Sequence, residues 1–319
     1  MVAARPFLFL ALLIAGFGPA AAAGPDSAAA VCWPPDALRA VEAENTPRRG
    51  GPGSRIAAPA ITPMPGTPLA PALRGSVRRV VLPLGRKLIA LTFDLCEASG
   101  EVTGYDGGIV DYLREHGVKA TFFAGGKWLE THSERAQQLI ADPLFQLGSH
   151  SWSHRNMRKL TGQELKDEIE RAEAAYEDIR GALARRPCIA SAPDALRRVP
   201  ERLGLFRFPY GACSPAALDA VNGAGLVAVQ WDVVTGDPVF GRSAERIAAT
   251  VLQRAKPGSI VIAHANGKGL ETARALPLFV PRLRAQGYEF VTVGELLAAG
   301  APVAAETCYE ERPGDNDRY

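Results

Sequence analysis

From Lys87 onward the chain alternates short apolar runs with stretches of helical period. Leu88-Ile89-Ala90-Leu91-Thr92-Phe93 reads as a strand covered on both faces, ending at Asp94, because its apolar run is nearly continuous rather than alternating. Residues 121–124 and 145–149 repeat the pattern, with helical stretches at 109–113 and 136–140. Thr161-x-x-Glu164 has the spacing of a capping box and opens the longest predicted helix. Its apolar positions Leu165, Ile169, Ala172, Tyr176, Ile179 and Leu183 recur at alternate steps of four and three, which puts them on one buried face. The segment 184–202 carries Pro187, Pro193 and Pro200 and is expected to be a loop with little regular structure. Beyond it the pattern predicts strands at 205–208, 226–231, 259–263 and 289–293. Helices are predicted at 215–221, 243–255, 273–285 and 294–299, the third of them broken by Pro277 and Pro281.

Such alternation predicts a parallel sheet with helices outside it. About seven strands suit a distorted parallel (β/α) barrel, an α/β fold whose site lies at the carboxyl ends of the strands. A doubly wound open sheet is the alternative, but no G-x-G-x-x-G follows the first strand.

The ends of the chain differ from this core. Residues 1–23 read as a signal peptide, with Arg5, an apolar run at 7–17, Pro19 and small residues before a cleavage point near Ala23. Export to the periplasm or beyond is expected. No later run approaches the roughly 18 apolar residues that cross a bilayer, so no stable membrane span is expected in the mature chain. Residues 24–84 are expected to form a Pro/Gly/Ala-rich lead-in, 85–300 the main patterned domain and 301–319 a polar tail. A net charge of +2 over 319 residues leaves no electrostatic footprint for nucleic acid. Oxidising conditions give weight to the five cysteines. Cys32 and Cys308 are placed to staple the termini, Cys96–Cys213 and Cys188–Cys213 bridges are both allowed, and an odd count leaves one cysteine over.

Ionisable residues gather where a parallel barrel builds its site. Asp94-x-x-Glu97 follows the first strand and His150 and His154 the third. Arg207-Phe208-Pro209-Tyr210-Gly211 ends the next, Asp232 and Asp237 follow Trp231, and His264 ends the run 260–263. On one helical turn, His150 and His154 would lie one above the other and reach a single point about 2 Å from each. Alone the pair reads as a surface turn; with four other strand ends bearing ionisable groups on the same face, it predicts a metal site. His116 and His132 read as structural.

The ordered set Thr92-Phe93-Asp94, His150-x-x-x-His154, Arg207 to Gly211, Trp231 to Asp237 and Ile260 to His264 resembles the polysaccharide deacetylases, carbohydrate esterase family 4, over roughly residues 87–297. The resemblance implies an exported hydrolase that uses a divalent metal, zinc foremost. Its substrate would be an acetylated polysaccharide or oligosaccharide of the cell envelope or beyond, with N-acetyl groups foremost. Within it, His150 and His154 would hold the metal and Asp94 would be the general base, steadied by Arg207. The backbone N–H of Tyr210 would assist the oxyanion. His264 would be the general acid, its tautomer set by Asp237. Trp231 and Ile262 would shape the acetyl pocket or simply belong to the core.

Two departures qualify the resemblance. The family has two adjacent aspartates where this chain has Asp94-Leu95, and the second is its third metal ligand. Glu97 is the expected replacement, with Cys96, Asp106 or Asp94 itself as the other candidates. Pro238 stands where the family carries Trp, which alters one wall of the groove. Two other readings stay open: a metal-free barrel that only binds glycans, and a C–N hydrolase of small cyclic amides.

Overall fold

A computed structural model describes residues 27–50, 54, 56–61 and 66–316. The predicted signal peptide lies outside the described residues, as do positions 62–65 of the proline-rich stretch. The strands in chain order are β1 Arg48–Arg49, β2 Ser76–Val81, β3 Leu88–Leu95, β4 Glu101–Val102, β5 Ala120–Ala124 and β6 Phe145–Ser149. They continue with β7 Leu205–Phe206, β8 Val227–Val229, β9 Val233–Val234, β10 Ile260–His264, β11 Glu289–Phe290 and β12 Ala301–Ala305. The helices are α1 Ala28–Cys32, α2 Gly107–Glu115, α3 Gly126–Thr131, α4 Ser133–Ala141 and α5 Gly162–Ala184. After them come α6 Pro187–Ser191, α7 Pro215–Gly223, α8 Ala244–Arg254, α9 Thr272–Ala285 and α10 Val293–Ala298.

The main sheet runs β12-β2-β8-β7-β6-β5-β3-β10-β9, with β11 also on β3, and every pairing is parallel except β12 with β2. An isolated antiparallel bridge between Arg79 and Ser259 draws β2 towards the loop before β10, so the sheet curls into a half-barrel. This is the predicted distorted β/α barrel, although its sheet has ten strands rather than about seven. Two of the additional strands, β2 and β12, lie in the segments read as lead-in and tail. Their side chains do not alternate cleanly, and their pairing is set only by the partner strand.

Each central strand is buried on both faces, so the parity of a residue decides its layer. On β3, Ile89, Leu91, Phe93 and Leu95 pack under the helices, while Leu88 and Ala90 fill the barrel interior. β10 divides the same way, with Val261 and Ala263 outward and Ile260 and Ile262 inward. Inside, near the carboxyl ends, the apolar filling gives way to polar side chains at the same parity: Thr92, Asp94 and Cys96 on β3 and just beyond it, and His264 on β10. Parallel register keeps these ends level, since His264 pairs with Asp94 and Leu95 with Ala124.

Several local expectations are corrected. The α5 stripe is buried as read, but Thr161 accepts no side-chain cap bond and Glu164 instead pairs with Arg155. A capping box does form at Thr292–Glu295, ahead of α10. Pro277 and Pro281 both sit inside an unbroken α9. They face solvent while Leu276, Phe279, Val280 and Leu283 bury the opposite face, and that packing outweighs the roughly 3 kcal/mol an interior proline costs. Residues 184–202 are not irregular: α6 and a 3-10 turn at Pro193–Arg198 occupy most of them.

The disulfides also differ from the expected pairings. Cys32 joins Cys188, which pins α1 to α6, and Cys213 joins Cys308, which pins the tail beside the turn after β7. Cys96 is free and buried. The termini are thus each stapled to the barrel, not to one another. Among the described residues no helix is long and apolar enough to cross a membrane.

One polar residue lies within the buried face of α5 without hydrogen-bonding partners. Both carboxylate oxygens of Glu173 are orphaned, and burial, only partly opposed by Arg202, raises its pKa from 4.5 to about 7. A raised carboxylate favours the fold in its protonated form. That contribution is complete below about 4.5 and is lost as pH rises through about 7, a span of about 3 kcal/mol. Glu173→Gln is therefore expected to stabilise the chain near pH 8 and to change little near pH 4, as read from urea unfolding. An equal effect at both pH values would contradict this assignment.

Candidate active site

The site rests on a charge that has no access to water. Arg207, one residue beyond β7, is fully buried. Its guanidinium donates to Asp94 Oδ1 and to Thr92 Oγ1 at 2.8 Å each, and to the carbonyl oxygens of Val229 and Gln230 at 3.2 Å each. The same group lies 4.0 Å from the centre of the Phe123 ring. A buried cation with several well-placed acceptors is held in one position. Arg207 thereby fixes Asp94, whose second oxygen lies 3.7 Å from His150 Nε2.

His150 and His154 are not on a helical turn. They leave β6 in a loop where Ser151 and His154 adopt left-handed φ values of 64° and 55°. Tyr210, at 59°, is the remaining non-glycine residue of this kind among the described residues, and all three are at the site. Such conformations cost about 1–3 kcal/mol each and persist only where surrounding contacts hold them. Here the amides of Gly126 and Lys127, at the start of α3, donate to the carbonyls of Ser151 and Trp152 at 2.9 Å. From α5, Glu168 accepts from the Ser153 amide at 2.9 Å and from its hydroxyl at 2.6 Å. The two imidazole centroids end 5.0 Å apart, and the Tyr210 ring stands 4.7 Å from His154.

His150 Nδ1 lies 2.8 Å from the Arg207 carbonyl, an acceptor only, so that nitrogen carries a proton and Nε2 is the ring atom turned to the site. Nε2 faces Cys96 Sγ at 3.4 Å. The ligating atoms of Cys96, His150 and His154 lie within 4.8 Å of one another, as do those of Asp94, Cys96 and His264. Burial opposes ionisation of the Cys96 thiol, but the adjacent His154 and His150 outweigh it and hold the thiol well below its ordinary range.

Opposite them is a second fixed pair. His264 Nδ1 meets Asp237 Oδ1 at 3.0 Å, and the His264 amide donates to Asp237 Oδ2 at 2.7 Å. The hydroxyls of Thr235 and Thr272 also donate to this carboxylate, at 2.9 and 2.7 Å. Burial opposes charge on His264, but Asp237 outweighs it and raises the imidazole well above its usual value. A cleft of about 460 Å³ joins both pairs, with Trp231, Ile262, Pro238, Tyr210 and Lys268 in its walls.

Two expected ligands lie elsewhere. The Glu97 carboxylate points out of the barrel interior, accepting from Lys127 Nζ at 3.1 Å, Thr131 Oγ1 at 2.9 Å and the Thr103 amide at 2.9 Å. Parity explains the correction. Glu97 follows Leu95 towards the helix layer, and Cys96 follows Asp94 towards the site. Asp106 caps α2 by accepting from the Gly108 and Ile109 amides. Asp232 accepts from the Ser259 hydroxyl and the Ile260 amide near the bridge to β2. His132 stacks on Trp128, and burial pushes its pKa down to about 4, so its 3.9 Å approach to Glu97 is no ion pair at neutral pH.

The sequence reading placed Glu97 ahead of Cys96 and missed Glu168, Thr235, Thr272 and Gly269. Glu168 had a signal, since it falls three residues after Leu165 on the apolar stripe. Gly269 had none. A Cβ there would come within 2.6 Å of Asp237 Oδ2 and 2.3 Å of the His264 carbonyl, so only glycine leaves that pair undisturbed.

A family model described as polysaccharide deacetylase matches residues 82–205. The peptidoglycan-N-acetylglucosamine deacetylase of Listeria monocytogenes is 33% identical over 210 residues, 66% of this chain but 39% of that protein, so the chain spans about two fifths of that relative's length. A peptidoglycan-N-acetylglucosamine deacetylase of Bacillus cereus is 30% identical over 213 residues, 66% of this chain and 68% of that protein. Among solved structures, a peptidoglycan N-acetylglucosamine deacetylase in complex with 4-naphthalen-1-yl-N-oxidanyl-benzamide superposes with a TM-score of 0.56 at 26% identity. That match covers 70% of this chain and 93% of the other.

The buried Glu97–Lys127 pair predicts a stability effect of its own. Lys127→Met leaves Glu97 buried without its cation and is expected to cost about 3–5 kcal/mol in denaturant unfolding. The double variant Lys127→Met/Glu97→Leu should recover most of that loss, because no buried charge remains. A double variant as unstable as the single one would show that the pair is not the cause.

Proposed function

The chain belongs to the polysaccharide deacetylase family, and from that premise we propose that it is an exported, metal-dependent hydrolase. Its reaction is removal of acetyl groups, N-acetyl foremost, from a cell-envelope or extracellular polysaccharide. The observation that carries the reading is the pairing of two fixed acid–base units across one cleft. Arg207–Asp94 stands on one side and Asp237–His264 on the other, with His150 and His154 beside them. Two disulfides support export. The peptidoglycan deacetylases among its relatives favour an acetylated glucosamine polymer as substrate.

His150 and His154 would hold the divalent cation, zinc foremost, and the cluster of nitrogen and sulfur donors, half-buried at His154 and buried at His150 and Cys96, fits such an ion. When bound, the cation supplies Lewis-acid polarisation of the acetyl carbonyl and a lowered pKa for attacking water. Asp94 is the general base. Its Oδ1 is committed to Arg207, so Oδ2 is the oxygen that takes the proton. His264 is the general acid that protonates the leaving amine. Asp237 holds Nδ1, which turns Nε2 to the substrate, and keeps the ring protonated. The Tyr210 backbone amide is assigned to the oxyanion, and the left-handed turn at Tyr210 is the local device that would aim it. Trp231 and Ile262 give the acetyl methyl an apolar wall.

Asp94→Asn and His264→Gln are each expected to lower acetate release from acetylated chito-oligomers and peptidoglycan by about 100- to 10,000-fold with the fold unchanged by circular dichroism. Wild-type rates in Asp94→Asn would remove the base from this scheme. Chelation should abolish turnover, and zinc should restore it. Glycan binding with no acetate released under any metal would favour a binding barrel instead.

A further inference from the structure

Three consecutive side chains follow Asp94, and two are already committed. Leu95 is fully buried in the core beneath the helices. Glu97 is held by Lys127, Thr103 and Thr131. Cys96 is the one that meets both histidines. We propose that the Cys96 thiolate is the third protein ligand of the cation held by His150 and His154, making a Cys-His-His centre; this rests on the metal-dependent reading above.

Three observations carry the assignment. His150 Nδ1 is taken up by the Arg207 carbonyl, so Nε2 is the ring nitrogen left to face Sγ. A tetrahedral zinc ion, with bonds of about 2.3 Å to sulfur and about 2.0 Å to nitrogen, separates two such ligands by about 3.5 Å. The observed separation is 3.4 Å. Second, the donor atom of His154 converges on the same space, within 4.8 Å of both others. Third, the other four cysteines are joined in two disulfides while Cys96 stays a buried thiol. A ligated thiolate has a reason to remain unpaired in an oxidising compartment.

The sulfur is also close to Asp94 and His264, an arrangement open to a thiol nucleophile. A nucleophile relayed through His264 and Asp237 would need neither His150 nor His154, yet both converge on the sulfur. A thiolate donor further implies that the centre prefers zinc or cobalt to the oxygen-seeking magnesium and manganese.

Cobalt substitution reads the ligand directly. The metal-free full chain, reconstituted with cobalt(II), is expected to show a sulfur-to-cobalt charge-transfer band in the near ultraviolet. Cys96→Asp should bind cobalt without that band, and Cys96→Ser should bind it more weakly by on the order of 100-fold. Native protein that binds cobalt without the band, together with undiminished affinity in Cys96→Ser, would overturn Cys96 as a ligand and leave the metal-dependent function standing. Native protein that binds neither cobalt nor zinc would overturn the metal reading itself. Turnover without metal, with an acetyl group found on Cys96 by mass spectrometry, would assign the sulfur to nucleophilic work and overturn the proposal.

Discussion

A guanidinium sealed inside the barrel orders everything around it. Arg207 has no contact with solvent, so its charge must be met from within, and the acceptors that meet it come from two other strand ends. The Thr92 hydroxyl and the Asp94 carboxylate answer from β3, and the Val229 and Gln230 carbonyls from the end of β8. Its own carbonyl accepts a hydrogen bond from His150 Nδ1. One residue therefore positions Asp94, orients the His150 ring and ties the barrel together at the level of the site. Such a cation cannot drift, because every alternative position leaves it unpaired in a low-dielectric interior.

The surrounding layers hold the parts that this charge does not reach. The loop after β6 carries strained backbone, and it is gripped from both sides by the start of α3 and by Glu168 of α5. Glu97 and Lys127 do the same for the loop after β3. The Lys127 ammonium bonds the carbonyls of Ala98 and Glu101 as well as the Glu97 carboxylate. Glu97 therefore matters to the site as the anchor that lets Cys96 face inward. The disulfides act further out, where the chain ends run along the barrel, and Asn316 bonds the Gly211 carbonyl beside the cleft.

Most of the fold could be read from periodicity. The strands β3, β5, β6 and β10 are nearly continuous apolar runs, and the α5 stripe repeats at helical steps, so each reports its own burial. The site was legible in outline for a related reason: Asp94, His150, Arg207 and His264 stand where apolar strands stop, and a charge there needs a purpose. The same alternation contained more than was taken from it. Two residues along a strand return to the same face, so Asp94 already pointed to Cys96 and away from Glu97.

What the sequence determined by itself was local: which runs are buried, where they end, and which polar residues stand at those ends. The tertiary structure decided what depends on residues distant along the chain. It chose Cys188 for Cys32 and Cys308 for Cys213, recruited β2 and β12 to the sheet, and kept α9 whole through two prolines because its far face was covered. It also bent the His150–His154 segment into a left-handed turn, where four-residue spacing alone suggests a helix. In each case the deciding energy is a contact between segments far apart in sequence, and no periodicity within either segment records its partner.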